Sequence, residues 1–298
     1  MKINLKMAQM IGSSELIVNS DGSIFHLGLK PFEIADNIIL VGDPGRVKMV
    51  AGFFDKIELE VQNREFITVT GRYKGKRLSV ISTGIGTDNI DIVINELDAL
   101  VNIDLEKRQV KSERKSLNFV RIGTSGALQP DIPVFSFLVS KKSMGFDNLL
   151  NFYELPDNFS DEKLTEAFKK HTNWNPRLAS PYIIDCDPQL FAKIVNDQFI
   201  QGINISAPGF YGPQGRTLRI KTADPELNSK IESFSYNGMK ITNFEMESSA
   251  VYGLSKLLGH HALTICLIVS NRMVNNFETG YKNKMKELVQ LILHNLME

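Results

Sequence analysis

Seven short apolar runs, each rich in β-branched residues and most closed by Gly or a polar turn, punctuate the chain at Asn37–Val41, Leu78–Ser82, Phe119–Gly123, Phe137–Ser140, Ile200–Ile205, Lys240–Phe244 and Ala262–Ser270. Runs this continuous, rather than alternating apolar with polar, belong to strands covered on both faces. Between them lie stretches whose apolar residues recur at three- and four-residue steps: Arg46–Phe53, Asp88–Val101, Pro188–Val195, Glu247–Leu258 and Asn283–Met297. That spacing builds helices with one buried stripe. The alternation predicts an α/β fold, a single domain with a central mixed, largely parallel β-sheet flanked by helices. The expected division is an N-terminal leader over 1–24 and one domain over 25–298, because no Pro/Gly/Ser linker, repeat or low-complexity tract separates the rest.

Charge narrows the partners. Lys and Arg number 34 and Asp and Glu number 34, so no global field gathers nucleic acid or anionic lipid, and any anion site needs locally placed cations. No run approaches the ~20 apolar residues of a membrane span, and Met7, Met10 and Ile11 do not make a signal-peptide core. Cys186 and Cys266 are far apart and sit in apolar surroundings, as reduced core thiols do. A cytoplasmic protein acting on a small ligand is the expectation, with no nucleic acid and no membrane. Glu106–Ser116, dense in Lys, Arg and Glu, is expected to be a solvated helix end and loop.

Ligands in α/β sheets bind at the carboxyl ends of strands, and three such ends carry glycine-bearing polar turns. In Gly42-Asp43-Pro44-Gly45-Arg46 a strand stops and a helix starts, offering free backbone N–H groups beside a guanidinium, which suits an anion. Ser82-Thr83-Gly84-Ile85-Gly86-Thr87-Asp88 has half of a dinucleotide fingerprint, but Asn89 stands where its third glycine would be. Arg121-Ile122-Gly123-Thr124-Ser125-Gly126 adds a second guanidinium and two hydroxyls in an expected third turn. Each charge-assisted hydrogen bond from such groups contributes about 1.5–3 kcal/mol. Further on, Phe210 offers an aromatic face on which a planar heterocycle could stack while Gln214 and Arg216 address its polar edge. Glu247 follows the strand ending at Phe244 and is suited to accept from sugar hydroxyls, although acids near helix starts are common for reasons of dipole alone.

Taken in order, these segments resemble the nucleoside phosphorylase family, most closely its uridine phosphorylase branch. The resemblance runs from about Phe25 to Arg272 and includes Phe25-His26-Leu27-Gly28-Leu29, Asn63-Arg64-Glu65-Phe66, Ala127-Leu128-Gln129, Phe244 to Ser248 and Val269-Ser270-Asn271-Arg272 besides the turns above. It implies a pentosyltransferase of nucleoside salvage that splits uridine with inorganic phosphate. It also implies that phosphate is held by Gly42, Arg46, Arg121 and Thr124, with Arg64 from a neighbouring subunit. Ribose would meet Thr124, Met246 and Glu247, with His26 of the neighbour on its 5′-hydroxyl. The base would meet Gln214 and Arg216, with Phe210, Ser125 and Gly126 beside it. Catalysis would rest on Arg46, Arg121, Arg216, Gln214 and Glu247, with phosphate as co-substrate, no cofactor and no metal required, and room for a monovalent cation near Glu65 and Ser82. The resemblance also implies a homodimer or hexamer, with His26 and Arg64 supplied across the interface.

Purine-specific relatives and hydrolytic nucleosidases place an Asp after the strand that here ends in Ser270-Asn271-Arg272, so the pyrimidine reading is favoured over a purine phosphorylase. The arginine set disfavours a nucleosidase that uses water. A nucleoside-binding sensor without turnover is the non-enzymatic alternative. The chain departs from the family pattern in Thr87-Asp88-Asn89, in Glu106–Ser116 and in its long leader, and Phe152–Ser180 carries no alignable motif. Thr87 or Asp88 is expected to cap the following helix.

Overall fold

A computed structural model describes residues 10–298, so the first nine residues of the expected leader lie outside the described residues. The chain opens into β1 (Asn37–Val41), α1 (Pro44–Ala51), β2 (Lys56–Asn63), β3 (Phe66–Tyr73), β4 (Lys76–Ser82) and α2 (Thr87–Asn102). A short hairpin, β5 (Ile103–Asp104) and β6 (Gln109–Val110), precedes β7 (Asn118–Ala127) and β8 (Phe137–Gly145). Then come α3 (Glu162–Thr172), β9 (Tyr182–Asp185), α4 (Pro188–Ile194), β10 (Phe199–Ser206) and α5 (Leu227–Ser233). The chain finishes with β11 (Ser235–Tyr236), β12 (Met239–Glu245), α6 (Ser248–Leu258), β13 (His261–Asn271), β14 (Asn276–Phe277) and α7 (Lys282–Met297).

Among the described residues, one mixed sheet runs β11-β12-β10-β8-β13-β7-β1-β4-β3-β2. The apolar runs occupy its middle. β1 lies parallel to both β4 and β7, so Ile38, Ile39, Leu40 and Val41 are covered on every side. Each such side chain gains about 1.5–3 kcal/mol from leaving water. α2 buries Ile90, Val93, Ile94, Leu97 and Leu100, the stripe its spacing specifies, and packs on α6.

β7 departs from expectation. Instead of ending at Gly123 it continues through Arg121-Ile122-Gly123-Thr124-Ser125-Gly126, so the expected third turn is strand. The cause is a change of neighbour. β1 accompanies β7 only to the Val41–Ile122 pair, and β12 then takes over antiparallel at Phe244–Gly126 and Asn243–Ala127, while β13 pairs along nearly the full length. The connection from β12 to β7 closes one half of the sheet on itself and brings the end of β12 against Ser125, whose hydroxyl donates to the Phe244 carbonyl at 2.8 Å.

Other local readings also shift. The charged segment after α2 is not a helix end: α2 stops at Asn102 and β5–β6 follow. Neither Thr87 nor Asp88 caps α2, since the N-cap is Gly86 at φ 99°, without a side-chain acceptor. α1 is capped by Asp43, which accepts from the Gly45 N–H at 2.8 Å, with Pro44 in the first turn where its missing N–H costs nothing. Phe152–Ser180 contains α3, anchored by Leu164 and Phe168. Both cysteines are free and buried.

Candidate active site

The carboxyl ends of β1, β4, β7, β12 and β13 surround a cleft of about 1030 Å³. Arg46 reaches it from the first turn of α1, and Arg121 from the middle of β7. Both guanidiniums are buried, Arg46 7 % and Arg121 4 % exposed. Their partners differ, and the difference defines the site.

Arg121 is held by acids. Its Nη1 lies 3.2 Å from Glu245 Oε2, and Nη2 donates to Glu247 Oε2. Glu245 in turn accepts from Asn204 Nδ2 at 2.6 Å, from the Ser206 hydroxyl, and from the backbone N–H groups of Glu247 and Ser248, both at 2.9 Å, fixing the start of α6. Glu247 uses its other oxygen to accept from the Gly86 N–H at 2.9 Å, tying the second glycine loop to β7. Burial alone would lower the Arg121 pKa, but Glu247 and Glu245 outweigh it and the net shift is upward. Burial pushes the Glu247 carboxyl up, Arg121 pulls it down, and Glu245 adds to the upward push. Nε of Arg121 remains a buried donor without a partner among the described residues.

Arg46 has no such acid. Nη1 donates to the Ile122 carbonyl at 3.1 Å, and no carboxylate forms an ion pair with it among the described residues. Burial and then the neighbouring Arg121 lower its pKa. A buried cation without a counter-ion is costly, and an anion in the cleft relieves that cost.

Gly123 explains why the strand under Arg121 carries no side chain there. A Cβ would stand 2.4 Å from Arg121 Nη1 and 3.0 Å from Cys266 Sγ. Gly123→Ala is therefore expected to displace the guanidinium and lower kcat/KM by about 10²-fold, as misplacements near 1 Å do. Circular dichroism of the variant should retain the wild-type signature, and unchanged steady-state kinetics would separate Gly123 from this role.

Gly42, Thr124, Ser125 and Gly126 line the same cleft, as do Met246 and Glu247. Phe210, Gln214 and Arg216 line it as well. Arg216 lies over one face of the Phe210 ring, 3.7 Å from its centroid, a contact the sequence did not suggest. The guanidinium also donates to Gln214 Oε1 at 2.5 Å and to the Phe210 carbonyl at 2.6 Å. These acceptors hold Arg216 against its own aromatic neighbour. Burial, then Arg272, lower its pKa to about 10, leaving it charged at neutral pH. Arg272, quoted in a motif but given no role, lines the cleft and donates to the Gln214 carbonyl. Glu245 was likewise not singled out; a second acid two residues before Glu247 was its only signal. Asn275, Asn276, Phe277 and Tyr281 add a wall for which no motif spoke.

His26 and Arg64 lie outside the cleft of their own chain. Arg64 stacks on Phe25, 5.4 Å from the ring centroid, and His26 Nδ1 meets Glu96 Oε1 at 2.6 Å. Glu65 borders the cleft, while the Ser82 hydroxyl donates to the Glu65 carbonyl at 2.9 Å and accepts from the Ile67 N–H at 2.7 Å. Among the described residues no helix is long and apolar enough to cross a membrane.

Residues 36–294 match the family model of the phosphorylase superfamily. The uridine phosphorylase of Thermococcus kodakarensis is 29 % identical over 281 residues, covering 91 % of this chain and 86 % of that protein. A DeoD-type purine nucleoside phosphorylase of Thermoanaerobacter is 28 % identical over 269 residues, covering 90 % and 95 %. Among solved structures, a Trypanosoma brucei nucleoside phosphorylase described as showing uridine phosphorylase activity superposes with a TM-score of 0.85 at 30 % identity, covering 95 % of this chain and 99 % of that one. A structure from work on uridine phosphorylases of Phytophthora capsici shares the fold, with a TM-score of 0.69 at 23 % identity over 97 % and 98 % of the two chains.

Proposed function

The chain belongs to the phosphorylase superfamily, and from that premise we propose that it cleaves uridine with inorganic phosphate, giving uracil and ribose 1-phosphate. The observation that carries this reading is Arg46: a buried guanidinium, beside a second one, with no acid of its own. Phosphate is the anion that matches two converging guanidiniums and the N–H groups of the Gly42 turn. It would also accept from Arg121 Nε, the donor left without a partner.

Cleavage of a glycosidic bond builds positive charge on the sugar and negative charge on the departing base. Fixed charges at both ends stabilise that separation without covalent help from the protein. Phosphate below the ring supplies the nucleophile, oriented by Arg46 and Arg121. Thr124, Met246 and Glu247 border the ribose position. Glu247 is braced by Arg121 and Gly86, so its position is fixed before the sugar arrives. Arg216 and Gln214 stand where negative charge grows on the uracil carbonyl, with Ser125 and Gly126 at its edge. Two further groups would come from a neighbouring subunit: Arg64 to phosphate and His26 to the 5′-hydroxyl, which makes a dimer the smallest complete enzyme.

The purine relatives raise a second reading. A purine leaving group is helped by an acid that protonates its imidazole ring. Here the candidate position is Asn271, and its amide is already spent: Nδ2 donates to the carbonyls of Gln129 at 2.9 Å and Ile132 at 2.8 Å, and Oδ1 accepts from the Met273 N–H at 3.0 Å. The test is a side-by-side assay of uridine, inosine and adenosine at saturating phosphate. Uridine is expected to be turned over far faster than either purine nucleoside; comparable rates would contradict the pyrimidine assignment.

A further inference from the structure

Two stretches that depart from the family pattern, the leader and the charged segment after α2, are locked to each other by one side chain. Arg108 stands in the β5–β6 hairpin at φ 55°, a left-handed backbone that residues other than glycine adopt when their surroundings impose it. Asp104 shapes the turn, its Oδ1 accepting from the N–H groups of Glu106 at 3.1 Å and Lys107 at 2.9 Å. From there Arg108 Nε donates to the Ile11 carbonyl at 3.0 Å, and Nη2 donates to the carbonyls of Gly12, at 3.0 Å, and Leu16. The Arg108 carbonyl accepts from the Ile11 N–H at 2.8 Å. Three carbonyls of one leader turn therefore converge on one guanidinium, a pattern that needs its forked donors.

The clasped turn leads directly to His26. Leu16 is buried in the main core, and Val18 bridges Ile24. Asn19 donates to the Ser23 hydroxyl at 3.0 Å and the Ile24 carbonyl at 3.2 Å. At His26 and Leu27 the backbone N–H groups donate to Glu96, and Asn63 Nδ2 donates to the His26 carbonyl at 2.9 Å. Glu96 also fixes the ring through Nδ1, so Nε2 is the nitrogen left to meet a ligand. Glu96 lies on α2, the helix that runs into the Arg108 hairpin.

We infer that Arg108 is a positioning residue for His26, holding the leader so that the imidazole is presented at a fixed place to the nucleoside 5′-hydroxyl in a neighbouring subunit. This rests on the phosphorolysis proposed above. It adds a residue that touches neither substrate and that acts through the leader, whose turn, clasped at the Leu16 carbonyl, sets the path to His26.

The test compares kcat/KM for uridine and 5′-deoxyuridine in the full-length oligomer, for wild type, Arg108→Ala, His26→Ala and the double variant. Loss of the His26 contact is expected to reduce the preference for uridine by about 10-fold. Arg108→Ala should produce that loss through uridine alone, leaving 5′-deoxyuridine turnover unchanged, and the double variant should lose no more than His26→Ala. Arg108→Lys, which keeps the charge but not the fork, should fall between, and reads the same ratio if the alanine variant does not fold. Equal losses for both substrates would make Arg108 a purely structural staple and overturn the inference. Amide hydrogen exchange over residues 11–29 provides a readout independent of catalysis: faster exchange in Arg108→Ala is expected, and unchanged protection would overturn the clasp. A wild-type enzyme that releases no uracil would remove the proposed reaction and this role together, whereas normal wild-type turnover with an unaltered ratio in Arg108→Ala would remove the positioning role alone.

Discussion

Alanine at Arg121 is expected to cost roughly 3–5 kcal/mol of stability, the usual effect of breaking a buried ion pair, and about 10²–10³ in kcat/KM, the usual effect of deleting a preorganised donor. The two losses share one origin. Arg121 lies between Glu245 and Glu247, all three nearly inaccessible to water, and truncating it leaves two carboxylates buried without their cation. Glu245 would still accept from Asn204, Ser206 and the start of α6, but Glu247 would keep only backbone donors from Gly86 and Met246. The melting temperature should fall by about 10 °C, taking roughly 2–4 °C per kcal/mol for a chain of this order of size. A thermal melt followed by circular dichroism checks the first loss, and steady-state kinetics on the fraction that remains folded checks the second. A variant that melts with the wild type would contradict the buried triad.

Arg46→Ala should behave in the opposite way on stability. Its guanidinium is buried, forms no ion pair among the described residues and is pressed by Arg121, so removing it deletes an unfavourable burial rather than a pair. The fold should survive with little change in melting temperature, while the rate falls about 10²–10³-fold and phosphate saturation disappears from the accessible range. Rates measured as a function of phosphate concentration check this; normal saturation would remove Arg46 from phosphate binding. The contrast between the two arginines, one structural and electrostatic, the other electrostatic alone, is a sharper test than either variant singly.

Much of this was legible in the sequence because the strands at the middle of the sheet are buried on both faces and must therefore read as apolar runs. β1 appears with the same ends, and β10, β12 and β13 within a residue or so. β2 escaped because it is an edge strand: Lys56, Ile57 and Glu58 are exposed, and the alternation of Lys56–Asn63 is diluted by charge. β7 was cut short because its glycines look like a turn. Gly123 is instead there to let Arg121 fold back over its own strand, a tertiary reason that no local pattern carries. The same limit applied in the site. Arg46, Arg121 and Glu247 were singled out from strand ends and glycine turns, but Glu245, the acid that braces Arg121 and the start of α6, and the arrangement of Arg216 over Phe210 depend on contacts between segments distant in sequence. The clasp by Arg108 was hidden for that reason too: a basic run reads as solvated surface until the leader is seen to lie against it.

Incubation of uridine with the enzyme, with and without inorganic phosphate, followed by identification of the sugar product, addresses most directly whether the paired guanidiniums serve a phosphate nucleophile. Uracil released only when phosphate is present, in equal amount to ribose 1-phosphate, is the expected result. Free ribose formed at the same rate without phosphate would make water the nucleophile, and tight uridine binding with neither product would make the cleft a sensor; each contradicts phosphorolysis.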